Sequence, residues 1–270
     1  MIKRRIKIVI LFIIVVVLFI GGWHMYKRLE YNRQSFAENV YQYISPKAIQ
    51  VINVNREYNL DELFIYDNSL RELTDILGRK KPVPIVISKY QGGDIVLMTK
   101  VNLDQQNTIK KYIASQIALP FPVKKKQYKN TEVLVYCLPD GKFLACSFYS
   151  GIFVASKSYK QVCGIIDANI DNSFFADSED EEMISRMLER IPVSMYVKSG
   201  KNILALDYSV RSDTIKMNGY LYGNSQADSL TIEHKFTPYI INYPADICVE
   251  NYDITGGNPP AVKIVLNKIN

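Results

Sequence analysis

A run of sixteen residues without charge or proline, "IVILFIIVVVLFIGGW" from Ile8 to Trp23, constrains this chain more than any other feature. It follows the basic opening MIKRRIK. With Ile6 counted and Lys7 snorkelling it lengthens by two, inside the range of about 17–25 residues that crosses a hydrocarbon core. A cleaved leader would need small residues at minus three and minus one, whereas cleavage after Gly22 or Gly21 places Ile20 or Phe19 at minus three. No cysteine follows the run to accept a lipid. The expectation is an uncleaved helix over residues 8–23 with the lipid bilayer as its partner, and with Trp23 and Tyr26 at the far interface. Lys3, Arg4, Arg5 and Lys7 precede the run, while Lys27, Arg28 and Arg33 follow it. That bias puts residues 1–7 in the cytoplasm and the mass of the chain outside.

The formal net charge of +6 belongs to this first segment. Residues 1–33 hold seven of the 33 basic side chains and one of the 27 acidic ones, which leaves residues 34–270 neutral. A surface that neutralises many phosphates needs a basic excess, so no nucleic-acid partner is expected. Two local runs remain, "KKKQYK" at Lys124–Lys129 and "DSEDEE" at Asp177–Glu182, and both read as solvated faces.

Hydrophobic periodicity beyond the apolar run mixes strands with helices. A polar helical stalk over residues 24–40 leads to "ISPKAIQVIN", a strand from Ile44 with Pro46 at its start. "NLDELFIYDNSLRELTDILG" has helical spacing, interrupted near Asp67 and ended by Gly78. "PIVISKYQGGDIVLMTKV" reads as a hairpin about Gly92-Gly93, and "LDQQNTIKKYIASQIALP" as a helix with Ile109, Tyr112, Ile113 and Ile117 on one face. Three short strands in "TEVLVYCLPDGKFLACSFYSGIFVAS" precede a helix with Tyr159, Val162, Cys163 and Ile166 along one side. A second, acid-started helix "EDEEMISRMLERI" follows. Strands then dominate: "VSMYVKS", "NILALDYSV", "DTIKMNGYLYG" and "SLTIEHKF". Grouped strands and helices without regular alternation predict an α+β fold, a mainly antiparallel sheet packed with several helices after the N-terminal transmembrane helix. The expected extracytoplasmic domain covers residues 41–238. Residues 239–270 either begin a partial repeat or complete the same sheet, because "NYPADICVEN" repeats Pro46, Ile49, Val51 and Asn53 as Pro244, Ile247, Val249 and Asn251.

Cys137, Cys146, Cys163 and Cys248 contain no C-x-x-C pair. If Asp140 and Gly141 form a two-residue loop, Cys137 opposes Leu144 and Val135 opposes Cys146. The two thiols are then diagonal neighbours about 7–8 Å apart, too far for an easy bridge. Free, half-buried thiols are expected.

No catalytic, metal-binding or cofactor-binding residue set emerges. His234 shares a strand face with Leu230, Ile232 and Phe236, the setting of a packed core histidine and not of a general base with partners. "DANID", Asp167–Asp171, opens like a calcium loop, but Asn172 stands where a glycine is needed and Ser178 where a bidentate glutamate is needed. No G-x-S-x-G elbow or P-loop is present. Three function classes remain: an interaction or scaffold module without catalysis, a hydrolase acting on glycan or peptide through carboxylates, and a small-ligand or lipid carrier, which would need a continuous apolar cavity between sheet and helices. Two acidic groups in a deep pocket would favour the second, and an apolar or aromatic exposed face the first.

The anchor, "YISPKAIQVINVN" after it, the strand-strand-helix units and the returning "YPADICVEN" together resemble a Bacteroidetes-type family of single-pass membrane-anchored periplasmic proteins of unknown function. The resemblance implies an inner-membrane protein with a periplasmic C-terminal domain and no assigned catalytic residue, and the scaffold reading adds an envelope protein as its expected partner.

Overall fold

A computed structural model of the chain describes residues 2–37, 39–64, 67–78, 81–168, 173–175, 191–200, 202–211, 214–223, 247–255 and 259–268. The acidic run Asp177–Glu182, residues 179–190 of the second expected helix, the strand carrying His234, positions 169–171 of the DANID loop and Pro244 lie outside them.

The apolar run and the stalk form one helix, α1 (Ile2–Ala37), in which the side chains from Ile10 to Leu29 are mostly exposed. Ile10–Glu30 is long and apolar enough to cross a membrane, with mean hydropathy 2.0. A 3-10 turn, Val40–Tyr43, follows, and Val40 is already fully buried. Ala48 N–H then donates to Ser45 O across a turn containing Pro46. The fixed φ of proline suits that second turn position, so the first strand, β1 (Ala48–Val54), starts two residues after Pro46 and not at it.

The helical stretch after β1 divides as its sequence suggests. α2 (Leu60–Leu63) is a single turn, and α3 (Asn68–Asp75) restarts behind Asp67, whose carboxylate accepts the Leu70 N–H at 3.1 Å. β2 (Ile85–Tyr90) and β3 (Ile95–Lys100) form the expected hairpin. α4 (Leu103–Tyr112) begins with a capping box in which Asn102 and Gln105 each bond the other's backbone at 2.9 Å. It widens into a π turn, Ile113–Ile117, closed by Ala118 N–H to Ile113 O.

β4 (Lys124–Tyr128), β5 (Thr131–Cys137), β6 (Phe143–Tyr149) and β7 (Ile152–Ser156) come next, then α5 (Tyr159–Asp167), β8 (Val193–Ser199), β9 (Asn202–Arg211), β10 (Thr214–Tyr222), β11 (Ile247–Thr255) and β12 (Ala261–Lys268). All described strands join one antiparallel sheet in the order β11-β12-β10-β9-β8-β1-β2-β3-β7-β6-β5-β4. The fold is therefore α+β, as the periodicity predicts. β11, which contains the returning Ile247, Val249 and Asn251, is the last strand at one end of this sheet. β1 instead lies near its middle and is buried on both faces. The lysine run is more than a solvated surface: it is β4, the last strand at the opposite end. Lysines there discourage pairing with another sheet edge.

Two apolar layers hold the sheet. On one face Ile52, Val54, Ile87, Leu97, Phe153, Leu206 and Met217 pack with Leu63, Leu70 and Leu73 of α2 and α3 and with Ile109 and Ile113. On the other, Val51, Val86, Met98, Val154 and Tyr196 meet Val40, Ile44, Val162, Ile166, Phe174 and Phe175. Phe174 N–H donates to Ile44 O, and Phe175 stands edge-on to Tyr196 at 5.3 Å.

The β5–β6 connection corrects the expected register. Leu138 N–H bonds Lys142 O, leaving a three-residue loop with Gly141 at φ +77, so Cys137 pairs with Phe143 and Val135 with Ala145. One residue of slip reverses the facing of a side chain. Cys146 thus joins Leu134, Tyr136 and Leu144 in the first layer, while Cys137 looks the other way. Cys137, Cys146 and Cys163 are free. Burial pushes the Cys146 thiol up to about 12, so it stays protonated and shielded at pH 8. Maleimide labelling of the native protein at pH 8 is expected to modify half-buried Cys137 and spare Cys146 until denaturant is added. Equal native rates at the two positions would contradict this register.

Candidate functional site

A cleft of about 790 Å³ opens where β1 and β3 end and β2 begins. Its walls come from Val54 and the following Arg56–Asp61, from Lys81–Ile85 and from Lys100–Gln105, and they include Val83, whose bond to Pro84 is cis. Antiparallel order explains the site, since alternate strand ends and their connections must gather at one side of the sheet. Arg56, Lys81 and Lys100 line it together with Glu57 and Asp61, so both signs are present. Lys81 lies 3.7 Å from Asp75. In the first turn of α4 the Asn102–Gln105 box already occupies the N–H groups of Asn102 and Gln105. Glu57 and Asp61 are both exposed, so neither has the dry surroundings in which a carboxyl acts as a general acid.

The cleft sits beside the N-terminal helix. Arg28, near the end of the apolar segment, donates to the carboxylate of Asp104, which stands between the cleft residues Asn102 and Gln105. Both side chains are exposed, so this pair adds well under about 1 kcal/mol, but it places the cleft next to α1.

A second, apolar hollow of about 290 Å³ lies between α3, the π turn and the β5–β6 loop. Leu73, Ile76, Ile117, Leu138 and Leu144 line it. Lys157 crosses its rim to Glu72 at 3.0 Å and to Asp140 at 3.3 Å.

Strand register creates a third feature that no linear motif contains. Asn53, Ser194, Asp207, Asn218, Lys263 and Asp253 form one continuous cross-strand row from β1 to β11. Its inner end is fully buried: Asn53 and Ser194 show no exposure, and neither does neighbouring Tyr196. Tyr41 O–H donates to Asn53 Oδ1 at 2.9 Å, whereas Asn53 Nδ2, Ser194 Oγ and Tyr196 O–H lack well-aligned partners. Burial also raises the Asp207 carboxyl above the usual carboxylate range. The buried Tyr196 hydroxyl has only a poorly aligned contact with Ser194, so Tyr196→Phe is expected to be neutral or to stabilise by up to about 1 kcal/mol, while Tyr41→Phe should cost about 1–2 kcal/mol by stranding Asn53. Thermal melts of the two variants check the opposite signs.

Among the described residues, those singled out in sequence are not gathered into one site. Asp167, the first of the calcium-like loop, is bound by Tyr128 O–H at 2.6 Å and by Lys129, which hold its carboxyl below the usual range. Among the described residues no group of three or more His, Cys, Asp or Glu side chains could hold a metal ion.

No protein-family model matches the chain. No curated protein matches it either. Among solved structures, crystal form I of TP0453 aligns with a TM-score of 0.42 and 9% sequence identity, covering 86% of this chain and 94% of that one. A likeness at that level transfers neither a residue role nor an activity.

Proposed function

We propose that this chain is a membrane-tethered interaction module of a bacterial envelope. α1 stays uncleaved in the inner membrane, the short N-terminus is cytoplasmic, and the sheet domain stands in the periplasm and binds an envelope protein without catalysis. One observation carries the reading: α1 runs unbroken from its exposed apolar segment to Ala37, three residues before core residue Val40. Arg28 beside the large cleft sets that cleft at the membrane surface when residues 8–23 are in lipid. The mixed charge of the cleft and the exposed positions of Glu57 and Asp61 suit recognition of a polar protein surface better than bond cleavage. The resemblance to single-pass periplasmic proteins agrees with this.

A reporter fused after Asn270 is expected to be active only outside the cytoplasm, and the membrane-fraction protein should keep residues 1–23 by mass. Cytoplasmic reporter activity or a clipped N-terminus would overturn the tether. A photo-crosslinking side chain at Tyr58 should capture an envelope protein in intact cells. Glycan or peptide turnover by the purified chain, abolished by Glu57→Gln or Asp61→Asn, would establish a hydrolase instead.

A further inference from the structure

The apolar helix fixes where lipid stands relative to the cleft. α1 is unbroken from Ile2 to Ala37, so Arg28 lies five residues, about 7.5 Å along the axis, beyond Trp23. The headgroup layer adds about 5–8 Å to each side of the hydrocarbon core, so with residues 8–23 in lipid the Arg28–Asp104 pair stands at the outer limit of that layer. The end of the sheet that carries the cleft is the end beside this pair, since Asp104 stands between cleft residues Asn102 and Gln105. β2 and β3 pair at Ile85 and Thr99, and Thr99 Oγ1 donates to Pro82 O at 3.3 Å, so the Lys81–Val83 and Lys100–Asn102 segments run together into one wall. That wall is within reach of lipid headgroups.

The lining suits a headgroup that carries both signs. Arg56 is exposed, and Lys81 Nζ is 3.7 Å from Asp75, too long for a hydrogen bond, so guanidinium and ammonium keep donors for a phosphodiester. Lys100 adds a third positive charge to the wall. Glu57 and Asp61 line the same cleft, and carboxylates take N–H bonds from a primary ammonium but none from a quaternary one, which has no N–H. Val83, 38% exposed, is the one cleft residue among the exposed large apolar side chains described. At the boundary of headgroups and acyl chains such a group is covered by lipid instead of water.

We infer that the cleft holds the headgroup of a phospholipid from the bilayer that carries α1, a phosphoethanolamine in preference to a phosphocholine, with its phosphodiester on Arg56 and Lys81 and its ammonium toward Glu57 and Asp61. This assignment rests on α1 being a membrane tether, and it adds a lipid to the surface that an envelope partner meets. A headgroup held there gives the domain a second hold on the bilayer beside α1.

The test uses the full chain in nanodiscs of phosphatidylethanolamine and phosphatidylcholine in equal parts. Native mass spectrometry of the released protein should find the ethanolamine lipid retained at least fivefold over the choline lipid. Arg56→Gln with Lys81→Gln should cut retention of both lipids at least tenfold at an unchanged melting temperature, because charge-assisted bonds to the phosphate are lost. Glu57→Gln with Asp61→Asn should keep a bound lipid and lose the preference. Depth is read by moving the chain's single tryptophan: Trp23→Phe with Val83→Trp should be quenched at least twofold by a nitroxide on the lipid headgroup. In the parent, Trp23 reports the tether separately. Quenching of Trp23 with none at position 83 would overturn the headgroup site and leave the tether standing, and no quenching at either would overturn both. Equal retention of the two lipids, or retention unchanged in the Arg56 and Lys81 variant, would also overturn the assignment. So would equally tight binding of soluble glycerophosphoethanolamine in lipid-free detergent, which makes a free solute the occupant. Capture of a protein from Tyr58 with no lipid retained would sink the lipid site while sustaining the protein-binding reading.

Discussion

Asp67→Ala is expected to destabilise the domain by about 3 kcal/mol. The loss combines about 1 kcal/mol for the N-cap of α3 with a larger part for a stranded ammonium. One oxygen of Asp67 accepts the Leu70 N–H and the other meets Lys89 Nζ at 2.7 Å, and both side chains are only 14% exposed. Removing the carboxylate leaves Lys89 of β2 without its partner in a mostly dry place, where the cost of an unpaired charge exceeds the worth of the pair. At roughly 2–4 °C per kcal/mol for a domain of this size, the melting temperature should fall by roughly 6–12 °C. Asp67→Asn keeps a capping oxygen and should lose less. Asp67→Ala combined with Lys89→Met should be more stable than Asp67→Ala alone, because the second change removes the stranded charge. A single variant that melts within 1 °C of the parent would refute the capped ion pair.

Gly219→Ala should cost about 3 kcal/mol or more, an unusual loss for one methyl. Gly219 sits inside β10 opposite Leu206 of β9 and Val262 of β12. A Cβ there would overlap the carbonyl oxygen of Ala205 and stand 2.8 Å from its carbonyl carbon and from Leu206 Cα. These are backbone atoms of a paired strand, so relief requires β9 and β10 to separate where they are hydrogen-bonded. Gly164→Ala in α5 provides the opposite case. A Cβ there meets nothing within 4 Å, and removal of a helix-interior glycine should stabilise by about 0.5–1 kcal/mol. Equal melting shifts for the two substitutions would contradict the close approach at Gly219.

Local features were readable where a short span of chain suffices to decide them. The break near Asp67 rests on an Asx cap, and the β2–β3 hairpin on two adjacent glycines at positive φ, Gly92 and Gly93. The start of β1 and the β5–β6 register were misjudged by one or a few residues. In each case a turn used more chain than the shortest alternative: Ser45 bonded across Pro46 to Ala48, and the loop after Leu138 closed with three residues instead of two. The lysine run gave no strand signal, because an edge strand with exposed side chains lacks the alternating apolar pattern that marks a half-buried one. The candidate sites were least legible. Asn53 and Ser194 are 141 positions apart and become neighbours only through β1–β8 pairing, while the two hollows are bounded by segments from distant parts of the chain.

Sequence by itself determined the N-terminal apolar helix, the α+β class and the neutral balance of the remaining chain, because each follows from composition or periodicity within a few turns of backbone. Tertiary structure decided which face each strand presents, that β1 is central and β11 terminal in the sheet, and which chain segments meet in the cleft beside α1. Those outcomes depend on pairing register and long-range packing, and a one-residue slip in register exchanges every buried side chain of a strand for an exposed one without altering its sequence pattern.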